Sequence, residues 1–124
     1  MHASEETLEP ARTLSADFGG VVSVSGRTDL IIQGGRTIRI LNGHPMMARV
    51  TGMGCAATAL TAAFAAVNPS YFAAAANAMA VMGIAGEIAA ERCAGPGSFE
   101  TSVMDALYGL QESDIEQRLK MENL

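Results

Sequence analysis

The sequence predicts an α/β fold: a small sheet is built first and packed Ala-rich helices cover it afterwards, with α+β as the neighbouring class. Three observations carry this. Residues 21–41 are rich in β-branched residues and punctuated by glycines. Residues 50–86 contain no charge and consist mostly of alanine, the best helix former. The chain has 124 residues, 49% of them apolar and 17% charged, enough for a single core and too apolar for intrinsic disorder.

Each element follows in order. Ser4-Glu5-Glu6-Thr7 opens a helix over residues 4–18, with Leu8, Ala11, Leu14 and Phe18 at helical spacing, and Gly19-Gly20 ends it. Val21-Val22-Ser23-Val24-Ser25 is a strand stopped by Gly26. Leu30-Ile31-Ile32 is a second strand, Gln33-Gly34-Gly35 a turn and residues 36–41 a third strand. Neither face of the third strand is purely apolar, which suits a sheet edge. Asn42-Gly43-His44-Pro45 is a loop, and His44 stands in it either as a solvated residue or as a ligand contact. Helices are expected over 54–67, 70–92 and 99–110. Ala94-Gly95-Pro96-Gly97 breaks the second from the third, and Ser98 serves as N-cap with Glu100 in the first turn. The last of these helices places Val103, Leu107 and Leu110 on one side. A final polar helix from Ser113 pairs Asp114 with Arg118 and Glu116 with Lys120.

The charge-free run from Val50 to Gly86 is long enough to raise a membrane span. Its composition argues otherwise. Gly52, Gly54, Asn68, Pro69 and Asn77 interrupt it, and it lacks the Leu, Ile and Phe density that drives insertion. Asn68-Pro69-Ser70 is a turn signal that divides it in two. The alanines at 62, 63, 65, 66 and 73–76 are expected to let backbones approach closely in a soluble core.

Net charge is −5, which argues against a nucleic-acid partner. Two cysteines, Cys55 and Cys93, exclude a disulfide scaffold, and no Cys/His cluster suggests zinc. Met1-His2, followed by Glu5, Glu6 and Glu9, has neither the basic start nor the apolar run of a signal peptide, so a cytoplasmic location is expected. Within this acidic chain, four of the eight basic residues (Arg27, Arg36, Arg39, Arg49) lie between positions 27 and 49, opposed only by Asp29.

The stretch with chemical content is Arg49-Val50-Thr51-Gly52-Met53-Gly54-Cys55-Ala56-Ala57. Two glycines ahead of a helix let backbone N–H groups converge where the helix dipole is positive, which is the make-up of an anion site. The nearby arginines agree with a phosphate there. The P-loop pattern GxxxxGK[ST] is absent. Residues 52–57 fit GxGxx[GA], but the acidic residue that a dinucleotide site needs about 20 positions on is missing until Glu87. Alternatively, the glycines serve only to pack helix against strand. Cys55 reads either as a site thiol, favoured as thiolate at a helix N-terminus, or as a small buried apolar residue. Cys93 has no such context and reads as core.

Val50-Thr51-Gly52-Met53-Gly54-Cys55-Ala56 resembles the V-[TV]-G-T-G-C-A signature of bacterial hydroxyethylthiazole kinases, the thiamine-salvage members of the ribokinase-like superfamily. Val24-Ser25-Gly26 resembles the V-T-G at the end of one of their sheet strands, Asp29 to Arg36 their hairpin, and Pro45-Met46-Met47 their P-L-M. Gly95-Pro96-Gly97-Ser98-Phe99 matches their G-P-G-S-F and Asp105-Ala106-Leu107 their D-A-L. The motifs keep family order and spacing from about residue 12 to 110.

The resemblance implies a partial ribokinase-like three-layer fold, with residues 1–124 as the C-terminal portion of one incomplete kinase domain. It implies ATP-dependent phosphorylation of the primary alcohol of 4-methyl-5-(2-hydroxyethyl)thiazole, with Mg²⁺. Carried over by position, Gly52, Met53 and Gly54 form the anion hole, and Gly52 also lies beside the thiazole alcohol. Ser25 matches a threonine on ATP and Gly26 follows it, while Cys55 stands where most superfamily members hold an aspartate base. Phosphoryl transfer asks more for positioning and charge neutralisation than for a strong base, so a thiol there is intelligible.

The departures are also informative. Met53 replaces a small hydroxyl residue and could crowd the phosphate, and Gly43-His44-Pro45 replaces the family's G-D-P. The family's N-terminal half, with its metal-handling segment, most thiazole contacts and most of the parallel sheet, has no counterpart here. Family enzymes are trimers with the thiazole site between subunits. A homo-oligomer or a complementary N-terminal half is therefore the expected partner, and the chain alone is not expected to be a competent kinase. The competing reading is a non-catalytic remnant or assembly module that keeps the anion-binding loop.

Overall fold

The computed structural model describes residues 5–124, so the helix-opening role expected of Ser4 lies outside the described residues. The first helix, α1, runs Glu5–Phe18. Its inward side is narrow. Ala11 packs with Leu30 and Ile32, and Leu8, Val22 and Val24 lie alongside. Leu14 and Phe18, expected on the same stripe, are 48% and 81% exposed. Ser15 is buried at the helix end instead; its hydroxyl donates to Gly20 O at 2.6 Å and accepts from Gly34 N at 3.1 Å.

The sheet has four strands in the order β1-β2-β3-β4: Val22–Val24, Asp29–Gln33, Arg36–Ile40 and Met121–Asn123. Every neighbouring pair is antiparallel, with Val22↔Ile32, Ile31↔Ile38 and Ile40↔Met121 fixing the registers. The β2–β3 hairpin closes on Gly34-Gly35, with Gly34 at φ +57, a backbone that favours glycine. One expectation is corrected here. The third strand is interior, because the C-terminal residues Met121–Asn123 add a strand beyond it. The sheet edges are β1 and β4, each paired antiparallel to its neighbour.

Strand residues alternate between two helical layers. Leu30 and Ile32 face α1, while Ile31 and Ile40 pack with Phe72, Ala75, Ala76 and Met79 of α3. The result is helix, sheet and helices in three layers, as expected. Arg36 lies over the Phe72 ring at 4.2 Å, which explains how a strand with arginines closes its apolar side.

A 3₁₀ helix, Pro45–Arg49, starts at the last residue of the expected loop 42–45; it leads into α2, Met53–Val67, and α3, Tyr71–Arg92. Ser70 caps α3, its hydroxyl accepting from Ala73 N at 3.2 Å. By length and composition α3 could cross a membrane, but it is mostly buried inside the protein, as a core helix is. The fourth helix, α4 (Pro96–Gly109), packs Phe99, Val103 and Ala106 against it, with Leu107 and Leu110 partly buried on that side. Ser98 is not its N-cap. Gly95 holds that place, Pro96 is the first helical residue, and the Ser98 hydroxyl reaches back to accept from Ala94 N at 3.0 Å and Gly95 N at 3.3 Å. Glu100 accordingly falls after the first turn.

The last helix, α5, spans Glu112–Arg118, and Lys120 lies beyond it. Arg118 does not pair along its own helix. It makes a two-pronged bond to Glu91 of α3 at 2.8 and 2.9 Å and approaches Glu87 at 3.9 Å, holding the Glu91 carboxyl below its usual range through that hydrogen bond. Buried Asn42 completes the tie: Nδ2 donates to Glu87 at 2.8 Å and to Arg118 O at 2.7 Å, and Oδ1 accepts from Lys120 N at 2.8 Å.

Candidate functional site

The glycine loop is a helix start built on one left-handed residue. Gly52 caps α2 at φ +98, ψ −3, a conformation that costs an L-residue about 1–2 kcal/mol. The first intrahelical bond runs from Ala56 N to Gly52 O at 2.9 Å, and Gly52 supplies no side-chain cap. The N–H groups of Met53, Gly54 and Cys55 therefore precede the helical ladder, at the positive end of the dipole. An anion fits this arrangement. Gly54 differs from Gly52. It is helical and a Cβ built on it meets nothing within 4 Å, so the fold itself does not require glycine there.

Met53 is half-buried and packs on the cluster of Met82, Ala89, Phe99 and Val103, together with Met46, Met47 and Val50. Its side chain therefore anchors the loop from below, rather than crowding an anion above it. The approach to the loop is held by α3. A Cβ on Gly83 would stand 2.8 Å from the Asn42 carbonyl carbon, and one on Gly86 would collide with the Met47 sulfur. The carboxylate of Glu87 accepts from Gly43 N at 3.0 Å. His44 caps the 3₁₀ helix, its Nδ1 accepting from Met46 N at 3.1 Å, so this histidine has a structural partner.

The structure brings two of the sequence motifs together. Ser25, at the end of β1, and Gly54, in the first turn of α2, line one groove of about 420 Å³. Thr58, Thr61 and Ala65 continue its α2 wall, and Ser23 and Met79 complete it. Both threonine hydroxyls donate to helix carbonyls, Gly54 O at 2.9 Å and Ala57 O at 2.7 Å, which leaves their oxygens as acceptors. The sequence reading did not single out Ser23, Thr58 or Thr61. The stripe 54, 58, 61, 65 follows helical spacing from Gly54 and was the available signal.

Gly26 is exposed beside Ser25, and its N–H donates to Asp29 Oδ1 at 3.0 Å. Burial drives the Asp29 carboxyl up to about 6, and the Gly26 N–H pulls it part of the way back. Cys55 is exposed, the third residue of α2, which removes the reading of it as a small buried residue in this chain. Cys93 is half-buried at the end of α3, its thiol 3.8 Å from Ala90 O. The four clustered arginines separate. Arg36 is stacked on Phe72 and Arg39 is paired with Glu122 at 3.2 Å, while Arg27 and Arg49 are exposed, next to Gly26 and at the end of the 3₁₀ helix.

Among the described residues, no three His, Cys, Asp or Glu side chains gather in a group that could hold a metal ion. A second hollow of about 400 Å³, lined by His44, Glu87, Glu91, Arg118 and Lys120, lies where the C-terminal residues dock, and its charges already compensate one another.

Comparison with known proteins places this geometry. The model of the hydroxyethylthiazole kinase family matches residues 1–113. The hydroxyethylthiazole kinase of Syntrophus aciditrophicus is 52% identical over 118 residues, which are 95% of this chain and 44% of that protein. The enzyme of the same name from Leptospira biflexa is 50% identical over 117 residues, 94% of this chain and 44% of that one. Among solved structures, hydroxyethylthiazole kinase from Pyrococcus horikoshii OT3 superposes with a TM-score of 0.90 at 37% identity, covering 97% of this chain and 47% of its own. The chain spans less than half the length of these relatives. It belongs to the hydroxyethylthiazole kinase family.

Proposed function

We propose, from membership of that family, that residues 1–124 are the C-terminal portion of a hydroxyethylthiazole kinase domain and supply the anion-binding side of its phosphoryl-transfer site. The observation that carries this reading is the meeting of Ser25 and Gly54 in one groove at the open N-terminus of α2. In this reading the groove takes ATP. Ser25 and Gly26 contact the nucleotide, and the backbone of Gly52, Met53 and Gly54 receives the transferring phosphoryl group. Gly52 also sits beside the primary alcohol of the thiazole. The alcohol oxygen bonds to the γ-phosphorus as the bridge to the β-phosphate breaks, ADP leaves, and the hydroxyl proton passes to Cys55 or to solvent. Backbone donors oriented in advance stabilise the charge that spreads over the phosphoryl oxygens.

Magnesium belongs, in this reading, to the rest of the family's chain, as do most thiazole contacts. The partner is a complementary half or further copies of this chain, and the setting is the cytoplasm. That the chain spans 44% of its relatives, with no metal cluster among the described residues, favours an isolated chain that binds nucleotide without turning over substrate. Calorimetric titration with ADP tests the groove: binding is expected, and Gly52→Val is expected to abolish it. Phosphorylation of the thiazole alcohol, followed by coupled ADP release, is expected only when an N-terminal half is added. An isolated chain that turns over at rates normal for a kinase, about 1–100 per second, would overturn the division of labour.

A further inference from the structure

The turn that carries Ser25 and Gly26 has little to hold it. The β1–β2 register ends at Val24↔Leu30, so residues 25–28 leave the ladder. Among the described residues, a single side-chain hydrogen bond reaches this loop, from Gly26 N to Asp29 Oδ1 at 3.0 Å. Asp29 is 8% exposed at the start of β2. It shares a sheet face with Ile31, which stands opposite Ser23 in the register, and both Ser23 and Ser25 line the groove. The carboxylate thus lies on the same sheet face as the groove's β1 side, one strand in from it.

We propose that Asp29 is a positioning residue for nucleotide binding, fixing the Ser25–Gly26 corner of the groove through the Gly26 N–H. The proposal rests on reading the groove as the nucleotide site. Asp29 does not touch the ligand. A loop released from its tether samples more conformations, and a ligand that needs one of them must order it on binding, which weakens affinity. A carboxylate in this place is costly, since burial disfavours its charge and its partner is an uncharged amide.

Two measurements on the full 124-residue chain test this. Amide hydrogen exchange of the wild type reads the tether alone. The Gly26 N–H is expected to exchange about tenfold more slowly than those of Arg27 and Thr28, to stay protected in Asp29→Asn, which keeps an acceptor oxygen, and to lose protection in Asp29→Ala. Calorimetric titration with ADP reads the consequence. Asp29→Asn is expected to stay within about twofold of wild type, while Asp29→Ala weakens about tenfold. Unprotected Gly26 in the wild type, undiminished ADP affinity in a folded Asp29→Ala, or equal losses in Asn and Ala would each overturn the role. A protected Gly26 in a chain that binds no ADP would instead overturn the nucleotide reading on which the role stands.

Discussion

The two Ala-rich helices have opposite fates, and the less charged one is the less buried: α2 lies wholly in the charge-free run, while α3 continues past it through Glu87, Glu91 and Arg92. Alpha-helix α3 buries residues from Phe72 to Ala89 along most of its length, whereas α2 has no buried residue. Cys55, Ala59, Ala63 and Ala66 of α2 are all exposed. The difference lies in position. The third helix meets the sheet on one side and α2 and α4 on others, so most of its surface finds a partner, and the stripe of Ala73, Asn77 and Val81 is left partly open. The second helix packs on the protein along one side, leaving its outer face and its N-terminus open. Apolar composition states that a segment can be buried, but neighbours decide which of two such segments is. The open N-terminus is also where the glycine loop lies, so the less buried helix is the one that the proposed nucleotide site uses.

The comparison can be broken or sharpened by substitution. The largest effect is expected in α3. Gly83→Val would put a branched side chain against the Asn42 backbone, 2.8 Å from where its Cβ must stand. Overpacking against backbone costs about 3 kcal/mol or more. Urea unfolding should show this as a large fall in midpoint, and a loss under about 1 kcal/mol would mean that α3 is not held as tightly as its burial implies.

The sheet face turned towards these helices holds Asp29, and its effect depends on pH. Its carboxyl is raised from 3.8 to about 6 in the folded chain, so the native state binds the proton more tightly than the unfolded state does. Stability from this group is therefore greatest below about pH 4, declines between about pH 4 and 6, and is flat above. Asp29→Asn should leave stability nearly unchanged at acid pH and raise it by up to about 3 kcal/mol at pH 7.5. Urea unfolding of both proteins at four pH values would check it, and a constant difference across pH would contradict the burial of the charge.

At the start of α2, Gly52→Ala should cost about 1–2 kcal/mol although nothing stands within 4 Å of the new Cβ, because the cost lies in the backbone at φ +98. Gly54→Ala, on a helical backbone, should instead be neutral or slightly stabilising. Equal losses at both glycines in a thermal melt would show that packing, not conformation, governs the loop. The smallest effect belongs to the outer face of α2. Ala63→Lys should change the stability of the chain by no more than about 0.5 kcal/mol. If a complementary half or a second copy covers that face, the same substitution should weaken the association, read by light scattering, while the melt stays put.

The sequence disclosed several elements well. The hairpin of residues 29–40, the split at Asn68-Pro69-Ser70 and the glycine loop were legible because each depends on local chemistry: β-branched runs, a turn tripeptide, and residues that tolerate unusual backbone. Ser25 and Gly54 were legible as separate motifs, but not as two walls of one groove. Their meeting depends on the strand register and on where α2 lies across the sheet. Thr58 and Thr61 were overlooked for the same reason, since a helical stripe becomes a wall only when something stands opposite it.

Elsewhere the local signal and the structure part. Helical spacing pairs Arg118 with Asp114, yet the arginine reaches across to Glu91 and Glu87 on α3. Met121-Glu122-Asn123 is short and mixed, and it forms a strand because β3 offers an unpaired edge and Asn42 holds Lys120 in place. Ser98 carries an N-cap side chain, but Pro96 starts the helix earlier, and the hydroxyl turns back to the preceding amides. For Arg118 and the last strand the partner lies far along the chain and is supplied by packing, whereas Ser98 keeps local partners and is displaced from the cap by where Pro96 starts the helix.

By itself, then, the sequence determined the class of fold, the family and the place of the glycine pair ahead of α2, while the structure decided that Gly52, at φ +98, needs a glycine backbone and Gly54 does not. The first three rest on interactions within a few residues, or on motifs whose order survives in the chain. Only the tertiary structure decided which apolar helix is core, that β3 is interior, that Met53 points inward and that Asp29 is buried. Those outcomes depend on residues far apart in the chain competing for the same space, and such competition is settled only when the whole core closes.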